Sequence, residues 1–169
     1  MNPVSYPLLI SCLISSLLLV SNIASALPDD RNQPINVSAD TARKNGNQGL
    51  TLYAGNVVIT QGSIRITGDE VAIYDTAGTV SKMIAKGNTN ALAEFKQRPQ
   101  PEGSDLIANG ETIEYNVDNE TLLLLENARL EDGGDTTESN KIAYDMKSTV
   151  VNAGDDNGRV IMILQPPKK

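Results

Sequence analysis

No histidine occurs among the 169 residues, and the single cysteine is Cys12. The chain therefore has no means for His-based general acid–base catalysis, a Ser-His-Asp triad, a Cys/His zinc site or an internal disulfide. Tryptophan is absent and phenylalanine occurs once, so platforms for stacking nucleobases are scarce. Positive charge is also short: 14 Lys and Arg stand against 21 Asp and Glu, a net charge of −7. Holding a phosphate backbone needs clustered Lys and Arg, so no nucleic acid is expected as a partner. The length fits one domain.

Residues 1–26 carry no charged side chain. Leu8 to Val20 is almost wholly apolar, and Ala24-Ser25-Ala26 has the small-residue form of an export cleavage site. The apolar run has 13 residues, short of the roughly 20 that a membrane span needs. Residues 1–26 thus read as a signal peptide, although its first seven residues lack Lys and Arg, and residues 27–169 as the exported domain. Leu9-Ile10-Ser11-Cys12 has the form of a lipoprotein box, but the apolar run continues past Cys12 instead of ending there, so lipidation is not expected.

The rest of the chain alternates apolar and polar residues. Leu50 to Ala54, Val57 to Ile59, Ile64 to Ile66, Val71 to Ile73 and Ile142 to Tyr144 follow the period of half-buried strands. Turn pairs such as Gln61-Gly62, Ala77-Gly78 and Gly133-Gly134 separate them, and proline is absent from 35–98 and 102–165. A repeat runs through the pattern. Gly68-Asp69-Glu70-Val71-Ala72-Ile73 aligns with Asn109-Gly110-Glu111-Thr112-Ile113-Glu114-Tyr115 and with Ser139-Asn140-Lys141-Ile142-Ala143-Tyr144; Ala39 to Ala42 is a weaker copy with Lys44 at an apolar position. The anchors 42, 71, 113 and 142 are spaced 29, 42 and 29, and the long interval predicts an inserted loop over Lys96 to Leu106. Asn56 and Asn127 each lie 14 residues after an anchor, with Gly87-Asn88 a looser third case. The unit is strand, turn, strand, present about four times, and no stretch forms a convincing amphipathic helix.

Such a unit cannot bury its apolar face alone, so the units must stack around a shared lining. Val57, Ile59, Ile64, Ile66, Val71, Ile73, Ile113 and Ile142 form that lining, and the same register points Ile35, Val37, Tyr115 and Tyr144 inward. A closed core and an open trough both satisfy the pattern. At the two ends, Ile35-Asn36-Val37 and Val160-Ile161-Met162-Ile163-Leu164 are unguarded apolar strands, suited to strand pairing with partners or with another copy.

The segments Gln33 to Asp40, Gly55 to Gly62 and Asn140 to Tyr144 resemble the OstA-like family of periplasmic lipopolysaccharide-transport bridge proteins, and the resemblance extends over about Asp30 to Pro167. It implies an all-β fold, a twisted antiparallel β-jellyroll open at both ends, with lipid A acyl chains against the lining residues and Phe95. It also implies a periplasmic location, head-to-tail stacking, and docking to an inner-membrane LptC-like and an outer-membrane LptD-like protein, with no cofactor or metal and no enzymatic activity. Two features depart from the family: Gly87 to Phe95 is a few residues longer, and only Lys168-Lys169 follow Pro167.

The residues offer little for other chemistry. Asp69-Glu70, Glu131-Asp132 and Asp155-Asp156 are carboxylate pairs, but neighbours in a strand face opposite ways and the last two pairs sit in Gly-rich turns. Asp155-Asp156-Asn157-Gly158 lacks the spacing and later Glu of a calcium loop. An exported carbohydrate-active or structural β-solenoid, or a membrane-anchored LptC-like relative, are the alternative readings. Arg65 and Lys82 are the candidate local contacts for a lipid phosphate.

Overall fold

The computed structural model describes residues 30–100, 102–155 and 158–166. The expected signal peptide lies outside them. A short 3-10 turn, Asp30–Asn32, precedes twelve antiparallel strands. These are β1 (Asn36–Ser38), β2 (Thr41–Asn45), β3 (Leu50–Gln61), β4 (Ile64–Thr76), β5 (Thr79–Lys86) and β6 (Ala93–Gln97), then β7 (Leu106–Gly110), β8 (Thr112–Asn116), β9 (Thr121–Asp132), β10 (Asp135–Asp145), β11 (Val150–Ala153) and β12 (Ile161–Ile163). Among the described residues no helix is long and apolar enough to cross a membrane.

The long strands β3, β4, β9 and β10 each change partner midway. The second half of β3 pairs with β1, its first half with β2. β4 pairs with β6 and then β5, and β9 with β8 and then β7. β10 pairs with β12 and then β11. The sheet therefore folds over into two layers. Layer I runs β1, β3, β4, β6, β7, β9, β10, β12; layer II runs β2, β3, β4, β5, β8, β9, β10, β11. The middle strands close a ring, while β1 and β2 at one end and β11 and β12 at the other leave both layers open. This is the expected jellyroll.

The crossings between layers lie at the repeat's asparagines. Gly55 and Asn56 have φ of 82° and 46°, and Glu126 and Asn127 have 61° and 52°, which bends the strands around the corner. A Cβ on Gly55 would collide with the Asp40 carboxylate. Asn56 donates to Asp40 at 2.9 Å, Asn88 to Asp69 at 2.7 Å, Asn127 to Glu111 at 2.8 Å and Asn140 to Asp155 at 3.2 Å. Each of the first three acids sits two residues before an anchor; in the fourth unit Asn140 takes that place and the acid follows it. Thr89 also donates to Glu111, and Thr89 and Asn127 together hold that carboxyl below its ordinary range.

Layer II contains the four units in register: Ala42 faces Tyr53, Val71 faces Ala85, Ile113 faces Leu124 and Ile142 faces Ala153. The long 71-to-113 interval corrects the expected single insertion at Lys96 to Leu106. Relative to the other units, three extra residues lengthen the β4–β5 hairpin, four are added between the Asn88 corner and Phe95, and six are added between Phe95 and Ala108. Hairpin ends and the outside of a corner can take extra residues without shifting the buried register, which is why the growth is shared among them. Ala42 and Lys44 are exposed because β2 is a layer edge.

The β6–β7 connection is clamped: Lys96 and Arg98 lie 2.7 and 2.8 Å from Asp105. Hydrogen bonds from Arg98 and then Lys96 hold the Asp105 carboxyl at about 2. Its value in the unfolded chain is higher, so the clamp adds stability above pH ~4 and loses it as pH falls toward ~2. Urea unfolding of wild type and Asp105→Asn should therefore differ at pH 7 and converge near pH 2; a gap that persists at pH 2 would contradict the clamp.

Candidate functional site: an apolar interior, its slot and two bare edges

The two layers enclose one apolar interior. Val57, Ile59, Ile64, Ile66, Val71, Ile73, Phe95, Ile113, Tyr115, Ile142 and Tyr144 all lie in a single buried cluster, and Ile35 and Val37 pack against it at the β1 end. One row crosses layer I as Val37, Ile59, Ile66, Phe95, Ala108 and Leu130. A matching row crosses layer II as Ile73, Met83, Tyr115, Leu122 and Tyr144. Phe95 and Tyr115 bring the layers together, with ring centroids 5.2 Å apart and planes tilted by 57°. Of the two arrangements the sequence allowed, the middle of the molecule has the filled one: Phe95 is 0% and Tyr115 1% exposed.

Opposite the corners, the hairpin turns of the two layers face each other across a slot. A cavity of about 670 Å³ opens there, lined by Arg31, Gln33, Ile35 and Gln61 on one side and Val80, Val117 and Asp118 on the other. That volume lies within the range of ligand-binding clefts. Its apolar walls, Val80 and Val117, continue into the core. Among the described residues, contacts cross the slot at Tyr144 and at Arg31. Tyr144 donates its hydroxyl to Asp132 at 2.7 Å. Burial of the ring, followed by the Asp132 hydrogen bond and charge, pushes the Tyr144 phenol upward, so it stays a donor. The second is the Asp30–Asn32 turn, whose Arg31 lies 2.8 Å from Glu120 in the β8–β9 turn.

At the open ends, Val160 to Leu164 is 42–68% exposed. β12 pairs with β10 over Thr136 to Glu138, and among the described residues its other edge has no partner strand. The run therefore does not pack as a terminal core strand. Contiguous exposed apolar residues of this kind mark an interaction surface. At the other end Asn36 is exposed between the half-buried Ile35 and Val37.

Arg65 and Lys82, the expected phosphate contacts, sit on the outer faces between inward-pointing neighbours. Arg65 is 3.8 Å from Glu94; Lys82 is 3.6 Å from Glu114 and 5.0 Å from the centre of the Tyr74 ring. Neither overlooks the interior. The acid pairs are also engaged one at a time: Asp69 by Asn88, Glu131 by Arg129 at 3.5 Å, and Asp132 by Tyr144. Among the described residues no group of three acids could hold a metal ion.

Sequence reasoning missed part of the interior. Leu122 to Leu125 is four leucines in a row, so its period is invisible; Leu122 and Leu124 point in, Leu123 and Leu125 are half-exposed. Met83 and Ala85 also point in, but the alternation over Ser81 to Ala85 is too weak to mark them. The Asp30 and Arg31 contacts join residues 30 to 90 positions apart and leave no local signal.

The family model described as LptA/(LptD N-terminal domain) LPS transport protein matches residues 36–150. The lipopolysaccharide export system protein LptH of Pseudomonas aeruginosa is 38% identical over 160 residues, 89% of this chain and 90% of that protein. The lipopolysaccharide export system protein LptA of Escherichia coli K12 is 30% identical over 155 residues, 91% of this chain and 83% of that protein. The crystal structure of LptH, described as the LptA-homologous periplasmic component of the lipopolysaccharide transport device of P. aeruginosa, superposes with a TM-score of 0.75 at 35% identity. The match covers 82% of this chain and 100% of that one.

Proposed function

The chain belongs to the LptA/LptD N-terminal domain family of lipopolysaccharide-transport proteins, and from that premise we propose that it is a non-enzymatic periplasmic bridge for lipopolysaccharide. Export follows cleavage after Ala26. The acyl chains lie along the interior lining described above, against Ile35 and Val37 at the β1 end, and reach the middle by parting the Phe95–Tyr115 contact that fills it. The observation that carries this reading is one continuous apolar lining that opens sideways through the 670 Å³ slot cavity and lengthwise through two bare ends.

The chemistry of the cargo explains the design. Each CH₂ kept from water contributes about 0.8 kcal/mol, so several acyl chains cannot cross the periplasm exposed. A chain of net charge −7 does not hold anionic headgroups by bulk attraction; affinity comes from the lining, and the sugars stay outside. The bare β1 and β12 edges accept strands from a second copy, head to tail, and from an inner-membrane LptC-like and an outer-membrane LptD-like partner. The sequence carries no G-x-x-x-x-G-K-[ST] loop, so movement is driven by another component. Mass spectrometry of lipid retained by the protein purified from the periplasm tests the reading: lipid A species are expected, and a protein that arrives without lipid and takes none up from lipopolysaccharide would contradict it.

A further inference from the structure

The segment Asp30–Gln33 is held very differently on its two sides. On layer I, the Asp30 carboxylate accepts the Ser63 amide at 2.6 Å, the Ser63 hydroxyl at 2.7 Å and the Gln97 amide at 2.8 Å. Gln61, only 5% exposed, donates from its side chain to the Arg31 and Gln33 carbonyls at 3.2 and 3.1 Å. Gly62, at φ 57°, leaves the room that Asp30 occupies; a Cβ there would collide with it. On layer II, the Arg31 guanidinium, 42% exposed, pairs with the Glu120 carboxylate, 25% exposed, at 2.8 Å. Charge-assisted bonds at partly buried groups are strong, and half-exposed ion pairs are weak. Glu120 also has Lys147 at 3.6 Å, so losing Arg31 does not strand its charge.

The segment lies directly over the interior. Beneath it a small cavity of about 100 Å³ is lined by Ile64, Gln97, Tyr115, Glu120 and Met146, and beside it the 670 Å³ cavity begins at Arg31. The Arg31–Glu120 pair spans this point of entry.

We propose that Asp30–Gln33 is a latch across the slot, fixed to layer I through Asp30 and Gln61 and released from layer II at Arg31–Glu120 when an acyl chain enters. The latch rests on the interior being the lipid site and adds how access to it is controlled. The two carboxylate positions are thereby assigned different tasks: Asp30 anchors and Glu120 catches.

The test follows uptake of fluorescently labelled lipopolysaccharide by the purified protein. In one variant Arg31→Cys and Glu120→Cys, with Cys12→Ser where that residue is retained, are joined by a reducible bis-maleimide. The bridged form should take up lipid at least tenfold more slowly than the same protein after reduction. Glu120→Gln, which leaves every anchor on layer I in place, should take it up about two- to fivefold faster than wild type, the range set by a half-exposed ion pair. Equal rates for bridged and reduced protein, or an unchanged rate in Glu120→Gln, would overturn the latch and leave the interior site standing. No uptake by any form, wild type included, would overturn the interior site and the latch with it.

Discussion

Deleting Arg159 to Lys169 should leave a folded protein that keeps the mass of one chain at concentrations where the proposed head-to-tail stacking should lengthen the full chain. Val160, Ile161, Met162, Ile163 and Leu164 are about half exposed or more, so their loss removes little from the core. Their value lies in what they offer outward. Among the described residues β12 is bound to β10 on one side and has no partner strand on the other. At the opposite end β1 is bound to β3 and has no second partner strand among the described residues. Two different edges at opposite ends make a heterologous contact that does not close, so each added copy presents the same edge again. Light scattering against concentration measures it. Ile161→Glu with Ile163→Glu gives the same expectation with the strand retained, because like charges along an edge oppose pairing. If either variant lengthens as the full chain does, the C-terminal edge is not the joint.

The second large effect concerns the centre of the molecule. Phe95→Ala should destabilise the fold by about 3–5 kcal/mol, lowering the melting temperature by about 10 °C. Phe95 is fully buried on the short strand β6, which is paired on both sides, with Ile66 opposite it on β4 and Ala108 on β7. Its ring meets Tyr115 across the interior, and small neighbours such as Ala93 and Ala108 cannot expand into the gap. Leu52→Ala is the contrast: Leu52 is 46% exposed on the outer face, and the change should stay within about 0.5 kcal/mol. Similar losses at both positions would mean that the ring closed by β4, β6, β7, β9, β8 and β5 is not where the stability lies. Excess lipid that enters the interior should raise the melting temperature of both wild type and Phe95→Ala, since a ligand bound to the native state stabilises it.

Much of this architecture is legible in the sequence because a strand has a period of two and the repeat carries it through four units. Val71, Ile113 and Ile142 mark the anchors, and Asn56 and Asn127 mark the corners without naming their partners. The partners themselves, Asp40, Asp69 and Glu111, stand two residues ahead of three anchors, but acids in strands usually face water and give no reason to pair them with asparagines. Where the pattern loses its period, as in Leu122 to Leu125, the inward face cannot be chosen from sequence. The interval of 42 residues reads as one inserted loop because spacing reports total length and says nothing of how hairpins share it. The latch is invisible for a different reason: Asp30, Ser63, Gln97 and Glu120 come together through the closure of the ring, and no segment contains more than one of them.

The central claim is that the face turned inward by the alternation is the face that meets the acyl chains. A photo-crosslinking amino acid placed one position at a time in cells making lipopolysaccharide tests it most directly. Ile35, Val37, Ile73, Tyr115 and Tyr144 lie in or against the interior, while Asn36 and Glu114 lie on the opposite faces of the same strands. A single-residue change of facing separates the two sets, and thermal unfolding of each variant checks that the buried positions still fold. Crosslinks to lipopolysaccharide concentrated at the five inward positions, with Asn36 and Glu114 nearly blank, are the expected result. Equal labelling of both sets, or labelling confined to Asn36 and Glu114, would contradict an interior lipid path.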